Sequence, residues 1–369
     1  MSSPLLPSCS HGCGMIYLSW RRNAEYFEAM INREGEKMKV SVRKISDITG
    51  FSPATVSNAL NHKKGVNKET AEKILKVAEE LGYRNKSRIT KIRFVIFRKN
   101  GLIIDDSPFH PAVIEGVERQ AKSMGYETVF CYMDVKDPAY LVQVHEMLEN
   151  TENAIVLLGT EMLEEDLAIY ADAKAKIILL DGWSDRYVFD SVLISNTDSA
   201  GRAVEYLYQK GHRKIGYIQG DFRIQAFKYR EIGYQRIMGR YGLEIQPGYV
   251  AAVGTKIETA YEGMKRYLDQ TKEIPTAFFA DNDIIAIGAM RALKEYGYNI
   301  PEDVSIIGFD NISFGSISDP PLTTVHVYKH EMGEIAVMEL IRVIQGSKKI
   351  KTKIQVCTDF IERGSVRKI

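Results

Sequence analysis

The chain has 369 residues, of which 45% are hydrophobic and 26% are charged, and its formal net charge is +1. This composition is typical of a soluble globular protein, and the length predicts two or three domains. No run of about 18 apolar residues is present, so no membrane span is expected. The four cysteines are too few and too scattered for a disulfide framework, which indicates a reducing, cytoplasmic environment.

The first 37 residues lack the apolar core of a signal peptide and show no clear periodicity before Glu25. The five residues from Arg33 to Lys37 directly precede Met38, and all of them can be written with purine-rich codons, as a ribosome-binding site would be. We therefore interpret residues 1–37 as translated leader and Met38 as the biological start. A genuine disordered extension is the alternative.

The stretch from residue 42 to residue 83 predicts three short helices. Ser52 is a favoured N-cap residue, and Pro53 suits the first helical position, where its missing N–H costs nothing. In the middle helix that follows, the apolar face carries Val56, Ala59 and Leu60. The opposite face carries small and amide side chains, which suit close approach to base edges and phosphates: Ala54, Ser57 and Asn58.

The flanking helices complete a helix-turn-helix pattern. The preceding helix is expected to bury Ile45 and Ile48 and to end at Gly50, a natural left-handed C-cap. A three-residue turn, residues 49–51, joins it to the middle helix. The third helix starts near Asn67 and places four apolar residues on one stripe: Ala71, Ile74, Ala78 and Leu81.

The charge distribution separates this region from the rest of the chain. Residues 38–88 contain eleven Lys/Arg and five Asp/Glu, a net charge of +6, whereas residues 89–369 carry −5 and residues 1–37 are neutral. A basic region supplies the salt-dependent attraction to phosphates that nucleic-acid binding needs. A small solvated helical bundle used for protein contacts is the alternative. Cap, turn, polar face and charge together favour a DNA-binding domain over residues 38–83, followed by a short linker over residues 84–91.

From Ile92 onward, short apolar segments alternate with amphipathic helical segments. Continuous apolar strands that alternate with helices predict parallel sheets covered on both faces. Because there are too many such units for one comfortable sheet, residues 92–369 are expected to form two doubly wound lobes. The predicted helices are Pro111–Met124, Ala139–Glu149, Ser199–Lys210, Phe227–Tyr241, Ile257–Gln270 and Ile284–Tyr296.

Polar side chains follow several of the predicted strands. In open parallel sheets, ligands bind beyond the carboxyl ends of the strands, so these side chains are expected to meet at one rim. Carboxylates, amides and Arg pair well with hydroxyl groups, and an aromatic face packs on a sugar ring, which suits a small polar ligand. The candidates are Phe109, Asp181, Arg230, Asn282 and Asp310. For Asp221 and Asp283, a helix-capping role is as good an interpretation as a ligand-binding role.

The chain shows few signs of catalysis. No phosphate-binding glycine loop, HExxH or GxSxG motif is present, and His145, His326 and His330 are isolated in the sequence. The cluster Cys9-His11-Cys13 has a spacing that matches no usual zinc pattern, so neither a metal nor another cofactor is expected. An enzyme is therefore only the third hypothesis.

From about Val42 to its end, the chain resembles the lactose-repressor (LacI/GalR) family of bacterial transcription regulators. The segments that carry the resemblance are ISDITGFSPATVSNALN, VNKETAEKILKVAEELGY, KGHRKIGYIQGD, YREIGY, PTAFFADNDIIAIGAMRALKEYGYNIPEDVSIIGFDN and DPPLTTV. This family joins an all-α helix-turn-helix head to an α/β effector domain with two lobes, similar to periplasmic binding proteins.

The resemblance also implies roles for individual residues. Carried over by position, Pro53, Ala54 and Asn58 would face bases in the major groove. Phosphate contacts would come from Ser52, Thr55, Ser57, Asn67 and Thr70. The effector would contact Phe109, Asp181, Arg230, Asn282 and Asp310.

By the same resemblance, the protein is a homodimeric regulator, usually a repressor, that reads a pseudo-palindromic DNA operator and responds to a small molecule, often a sugar. Residues 92–369 alone would also fit a solute-binding protein of a sugar transport system, but the basic head and the absent secretion signal argue against it. Two features depart from the family pattern. The linker is short and lacks the leucine that wedges into the minor groove, and Pro53 and Ala54 offer bases only apolar contact.

Overall fold

A computed structural model describes residues 41–60, 65–81, 89–105, 107–348 and 350–369. The chain divides into two compact units, with the boundary between residues 86 and 87. The predicted leader, the Cys9-His11-Cys13 cluster and residues 84–88 of the predicted linker lie outside the described residues. Within the described ranges, no helix is long and apolar enough to cross a membrane.

The described residues of the first unit form three helices: α1 (Val42–Thr49), α2 (Pro53–Leu60) and α3 (Lys68–Glu80). Helix α1 is capped by Ser41, whose hydroxyl accepts from the N–H of Lys44 at 3.2 Å. It ends at Gly50, which adopts the left-handed conformation at φ 73°. The helices enclose a small core made of Ile45, Val56, Ala59, Leu60, Ile74 and Ala78. The predicted helix-turn-helix fold is therefore confirmed.

The prediction that Ile48 is buried is wrong, because 53% of this residue is exposed. The inward stripe of α1 runs through Val42, Ile45 and Thr49, at positions i, i+3 and i+7. Ile48 lies to one side of that stripe. A helix of eight residues packs on its neighbours along one narrow line, so the residue next to that line stays in solvent.

The second unit alternates strands and helices along the chain. Its elements are β1 (Lys91–Arg98), α4 (Phe109–Ser123), β2 (Glu127–Asp134), α5 (Tyr140–Glu149), β3 (Ala154–Leu158), β4 (Lys176–Leu180), β5 (Asp190–Ile194), α6 (Asn196–Gln209), β6 (Ile215–Gly220), α7 (Gln225–Arg240), β7 (Val250–Val253), α8 (Ile257–Gln270), β8 (Ala277–Ala280), α9 (Asp283–Glu295), β9 (Ser305–Ile307), α10 (Ser313–Ile317), β10 (Thr324–His326), α11 (Lys329–Ile344), β11 (Lys353–Val356) and β12 (Asp359–Ile361), with 3₁₀ turns at Glu164–Tyr170 and Pro247–Tyr249.

Ten of these strands form two parallel sheets, each the centre of one lobe. The amino-terminal lobe has six strands in the order β11-β5-β4-β3-β1-β2, and the carboxyl-terminal lobe has four in the order β7-β6-β8-β9. All five residues of the central strand β3 are buried, as expected for a strand that is covered by helices on both faces. The prediction of two doubly wound lobes is confirmed.

The last part of the chain links the lobes in a way that the sequence did not reveal. Strands β10 and β12 pair antiparallel, helix α11 packs on α4 of the amino-terminal lobe, and β11 joins that lobe's sheet beside β5. The chain also passes from the first lobe to the second between β5 and α6. With this topology, a ligand is expected to bind between the carboxyl ends of the two sheets.

Candidate nucleic-acid interface and ligand cleft

Helix α2 begins with the cap that its sequence predicts. The hydroxyl of Ser52 accepts from the N–H of Thr55 at 3.1 Å and lies 2.9 Å from the Thr55 hydroxyl. Pro53 follows at the first helical position, where no N–H is needed. This fixes the amino terminus of α2, whose remaining free N–H groups favour an anion such as a phosphate.

The two faces of α2 differ as the sequence predicts. Val56, Ala59 and Leu60 are buried in the small core. Pro53 and Ala54 are exposed, and Ser57 and Asn58 are partly exposed. The outward face is therefore built from short side chains, with Asn58 as an amide that can form paired hydrogen bonds with a base edge.

Helix α3 also begins with a cap. The side chain of Asn67 accepts from the N–H of Thr70 at 2.7 Å, and Asn67 is exposed. Its capping role leaves the amide NH₂ group of Asn67 as a donor. The predicted DNA contacts of these residues remain predictions, since the described structure contains the protein alone.

In the second unit, Arg230, on α7, is the centre of the cluster that the predicted ligand residues form. Only 3% of this residue is exposed. Its Nε donates to Asn196 Oδ1 at 2.9 Å, Nη1 donates to the carbonyl oxygen of Asp281 at 2.5 Å, and Nη2 lies 3.3 Å from Asp310 Oδ1. The guanidinium carbon lies 3.7 Å from the centre of the Phe309 ring. Such a planar, multiply held guanidinium presents its remaining N–H groups in a fixed direction.

Asp181 and Asp310 flank this arginine in strained backbone conformations. Asp181 has φ 50° and Asp310 has φ 107°, values that residues other than glycine rarely adopt and that cluster at functional sites. The hydroxyl of Thr160 donates to Asp181 Oδ2 at 2.7 Å. Burial raises the pKa of Asp181 to about 6, against the opposing effects of this hydrogen bond and of Arg230. Burial also raises the pKa of Asp310, while Arg230 and Lys329 hold it down.

Asn282 and Asp283 have different roles from each other. Asn282 caps α9, since its side chain accepts from the N–H of Ile285 at 2.9 Å. Asp283 is fully buried and accepts from the N–H of Ile312 at 2.9 Å and from the hydroxyl of Thr324 at 2.6 Å. It therefore ties α9 to the crossing segments, and burial raises its pKa to about 7. The capping alternative for Asp283 is wrong, since Asn282 is the N-cap, and its ligand contact stays a prediction.

Asp221 does not cap the helix that follows it. Its carboxylate accepts from the N–H of Phe222 at 2.8 Å, whereas Ile224 occupies the N-cap position of α7. Asp221 is exposed. The capping alternative for Asp221 is thus wrong, because α7 starts four residues further along the chain than Asp221 itself.

Phe109 and His110 lie in the first turn of α4 rather than in a loop. Phe109 is buried, and the two rings meet edge to face at 5.3 Å between centroids. His110 is 4% exposed, and neither ring nitrogen has a hydrogen-bond partner among the described residues. Burial lowers the pKa of His110 to about 4, so its imidazole is neutral at pH 7.

Two charged residues near Arg230 and Asp310 were not among the predicted ligand residues. Asp281 is fully buried, accepts from the hydroxyl of Tyr217 and the guanidinium of Arg223, and has its pKa raised to about 6 by burial. Lys329 donates from Nζ to the carbonyl oxygen of Asp310 at 2.5 Å and lies 5.6 Å from the Phe109 ring centre. The position of Asp281 directly after a predicted strand was a usable signal. Lys329 belongs to a helix that was not predicted.

The structure thus brings the predicted ligand residues together around one centre. Arg230 forms an ion pair with Asp310, and the charges of both residues act on the pKa of Asp181. Lys329 donates to the carbonyl oxygen of Asp310 and lies over the ring of Phe109. Asn282 adjoins Asp281, whose carbonyl oxygen binds Arg230. A helix-turn-helix unit joined to a two-lobed domain with a polar cleft is the architecture of a ligand-responsive DNA-binding regulator.

Comparison with known proteins defines the family. Residues 43–86 match the model described as bacterial regulatory proteins, lacI family, and residues 204–366 match a periplasmic binding protein-like domain. The HTH-type transcriptional repressor CytR of Escherichia coli is 30% identical over 319 residues, which cover 86% of this chain and 93% of that protein. The HTH-type transcriptional repressor PurR of Haemophilus influenzae is 29% identical over 335 residues, covering 89% and 99%.

Solved structures share the fold. A transcriptional regulator CelR–cellobiose complex superimposes with a TM-score of 0.68 at 22% identity, over 88% of this chain and 99% of that chain. The lac repressor dimer bound to operator and the anti-inducer ONPF gives 0.63 at 21% identity, over 89% and 99%. The chain belongs to the LacI family of bacterial regulatory proteins and is a DNA-binding transcriptional regulator. The transport-system alternative is not favoured by these relatives.

Proposed function

We propose that the protein is a homodimeric transcriptional repressor whose affinity for operator DNA is controlled by a small polar effector, a sugar, bound around Arg230. The observation that carries this proposal is the buried guanidinium of Arg230, which is hydrogen-bonded to Asn196, Asp281 and Asp310. Burying a charged group costs free energy, and such groups are concentrated at functional sites. A polyhydroxylated ligand would accept from Arg230 and donate to Asp181 and Asp310.

The site can also transmit ligand binding. Arg230 and Asp281 belong to the carboxyl-terminal lobe, whereas Asn196 and Asp310 lie where the chain crosses between the lobes. A ligand that contacts this set and also Asp181, in the amino-terminal lobe, would favour one relative arrangement of the lobes over another. A ligand shifts such an equilibrium by as much as its affinities for the two states differ.

The DNA-binding half of the proposal uses helix α2. Asn58 reads a base, with adenine as its natural partner, and Pro53 and Ala54 make apolar contact with thymine methyl groups. Ser52, Thr55, Ser57, Asn67 and Thr70 position the head on phosphates. These roles are supported by the exposure of the outward face and by the capped amino termini of α2 and α3.

A homodimer is supported by apolar residues on the surface of the second unit. Phe130 and Tyr132 lie on β2, the edge strand of the first sheet, and Tyr132 is 68% exposed. Phe314 and Ile317 lie on α10, and Ile317 is 79% exposed. Exposed edge strands and apolar patches mark association surfaces. A dimer would read two half-sites of a pseudo-palindromic operator.

The proposal is tested by screening the purified protein for thermal stabilisation by sugars, nucleobases and nucleosides, because a ligand of the folded state raises its melting temperature by mass action. A sugar is expected to stabilise the wild-type protein but not the Arg230→Met variant. Arg213→Met, at a surface arginine whose guanidinium packs over Tyr208, serves as the control and should respond like the wild type. Stabilisation by a nucleobase, with none by any sugar, would contradict the proposed effector.

A further inference from the structure

The two lobes contact each other through the loop that follows β1, residues 99–105, called here the 99–105 loop. The hydroxyl of Thr255, in the carboxyl-terminal lobe, donates to the carbonyl oxygen of Leu102 at 3.0 Å. Ile103 is 8% exposed and belongs to an apolar cluster whose other buried members all lie beyond β5, in the part of the chain that forms the carboxyl-terminal lobe. The 99–105 loop of one lobe is therefore packed into the other.

This contact lies over the carboxyl ends of two strands of the opposite sheet. Thr255 is 5% exposed and follows the end of β7 by two residues. It also packs on Gly220, the last residue of β6, since a Cβ at Gly220 would lie 2.8 Å from Thr255 Cγ2. Phe227, in the same apolar cluster as Ile103, has its ring centre 5.6 Å from the guanidinium carbon of Arg230. The 99–105 loop thus covers the edge at which parallel sheets bind their ligands.

The shape of the 99–105 loop is fixed by a buried carboxylate of its own lobe. Glu161 is fully buried and accepts from five backbone N–H groups, three on Oε2 and two on Oε1. The distances are 2.8 to 3.1 Å, and the donors are Lys99, Asn100, Gly101, Ile103 and Ile104. Burial pushes the pKa of Glu161 up, but these N–H groups hold it below its ordinary value. The acceptor is therefore a carboxylate anion, which forms stronger hydrogen bonds than a neutral group, and the loop keeps its shape without a ligand.

The two ends of the loop are joined by an ion pair. Arg98, the last residue of β1, donates from Nε and Nη2 to the two carboxylate oxygens of Asp105 at 3.2 and 2.6 Å, and from Nη1 to Asp134 at 2.6 Å. These hydrogen bonds lower the pKa of Asp105, and the charge of Lys256, in the opposite lobe, lowers it further. Charge attraction between Asp105 and Lys256 therefore adds to the contact between the lobes.

A second contact between the lobes is an aromatic pair. Trp183 follows β4 of the amino-terminal lobe, Tyr229 lies on α7 of the other lobe, and their rings stack with centroids 4.1 Å apart. Asp185 Oδ1 accepts from the indole N–H at 2.8 Å and from the Tyr229 hydroxyl at 3.2 Å. Strands β1 and β4 lie on either side of β3, so the lobes are joined at two separate points of one sheet edge. Two such points oppose a hinge motion that would separate the lobes.

We propose that the 99–105 loop holds the two lobes together when no ligand is bound, and that its release from the carboxyl-terminal lobe is the step that changes the affinity for DNA. The chain enters β1 directly from the segment that joins the two compact units, and it leaves β1 into the 99–105 loop. One strand of eight residues thus connects the DNA-binding unit to the contact between the lobes. The DNA part of this inference rests on the proposed function, whereas the contact between the lobes does not depend on it.

The loop also sets what an effector has to do. A ligand that binds beyond the carboxyl ends of the sheets meets the surface that Leu102 and Ile103 cover, so it competes with their contacts to the opposite lobe. It shifts the lobes toward the released arrangement by as much as its affinities for the two arrangements differ. Weakening the loop contact should therefore change DNA binding with no effector present.

Single-molecule energy transfer between dyes on the two lobes of the full-length protein tests whether the loop holds them together, with no ligand added. The dyes are carried by Glu146→Cys on α5 and Arg266→Cys on α8, both at exposed positions, after the four native cysteines are replaced by serine. Labelled protein is diluted into unlabelled protein, so that the distance is measured within one protomer. The wild-type loop should give one population, with the lobes together.

Two substitutions weaken the loop contact. Ile103→Ser removes the buried apolar side chain and Thr255→Val removes the hydrogen bond, so together they should raise the ratio of separated to joined lobes at least roughly 30-fold. Thr255→Val alone, a nearly isosteric change, should raise it roughly two- to tenfold and keeps the test valid if the double variant does not fold. Leu102→Ser is the matched control, because Leu102 is 38% exposed and its carbonyl oxygen is kept. Separated lobes in the wild type, or a distance distribution that neither variant changes, overturn the inference.

The effect on DNA is measured with DNA that the wild-type protein selects from a random library. Without ligand, the affinity of the double variant should differ from that of the wild type at least roughly tenfold, and Leu102→Ser should bind like the wild type. Separated lobes with an unchanged DNA affinity overturn the DNA part of the inference; a response of wild-type DNA binding to a sugar would then leave the proposed function intact. Selection of no DNA at low salt overturns the proposed function and the DNA part together, while the distance measurement still decides whether the loop joins the lobes.

Discussion

Replacing Glu161 with glutamine is predicted to release the loop that follows β1, residues 99–105 (the 99–105 loop), from its native shape. The carboxylate accepts five backbone N–H groups, three on Oε2 and two on Oε1. Glutamine keeps one oxygen and places an NH₂ group where the other oxygen was. At least two N–H groups then face a donor instead of an acceptor.

The size of the effect follows from that count. A buried donor left without an acceptor costs about 1–3 kcal/mol, so two of them cost about 2–6 kcal/mol. Opening of the loop relieves this cost, and therefore the variant protein should remain folded with the loop detached. At the lower bound of about 2 kcal/mol, amide hydrogen exchange within the loop should accelerate roughly 30-fold.

Hydrogen exchange measured by mass spectrometry reports this directly. Glu165→Gln is the control, because Glu165 is an exposed neighbour that pairs with Lys99 at 3.1 Å on the surface. An exposed pair contributes about 0–1 kcal/mol, so loop exchange in the control should change less than about fivefold. Equal exchange in Glu161→Gln and wild type would mean that Glu161 does not organise the loop.

Four further results are expected. Arg230→Met should abolish the response of DNA binding to effector while operator affinity without effector is kept, as measured by fluorescence anisotropy. Asn58→Ala should relax preference at one base pair by roughly 1–3 kcal/mol, and equal losses on operator and random DNA would contradict this. Ile45→Ala should destabilise the first unit by about 2–5 kcal/mol in chemical denaturation, whereas Ile48→Ala, at an exposed position, should change it by less than about 0.5 kcal/mol. Burial in the folded protein raises the pKa of Asp283 to about 7, whereas the pKa in the unfolded chain is about 3.9. Between these two pH values the folded state binds one more proton than the unfolded state, so the free energy of unfolding should fall as pH rises through this window. The melting temperature of Asp283→Asn should therefore depend less on pH than that of the wild type.

Local sequence signals were sufficient for most of the architecture. The apolar segments AIVLL, KIILL and VAAV coincide with strands β3, β4 and β7, since a buried parallel strand has a continuous apolar sequence. The caps Ser52 and Asn67 are equally local, because a side-chain oxygen needs only its own first helical turn.

The remaining features depend on contacts between distant parts of the chain. Glu161 binds N–H groups about 60 residues away, and nothing in its local sequence marks it as a loop anchor. Lys329 lies on α11. The strand before this helix, β10, has only three residues, which is too short for its hydrophobic pattern to predict a strand. Ile48 was misassigned because α1 is short, so a position that is only slightly off the inward stripe is already in solvent.

In the proposed function, sugar binding around Arg230 is coupled to DNA binding by α2. The direct measurement is the affinity of the full-length protein for DNA selected from a random library, titrated with and without the sugar found by thermal screening. We expect selection of a pseudo-palindromic sequence. We also expect the sugar to change the affinity for this DNA at least roughly tenfold in wild type but not in Arg230→Met, which corresponds to a coupling of about 1.4 kcal/mol. No selected DNA at low salt, or a DNA affinity that the bound sugar leaves unchanged, would contradict it.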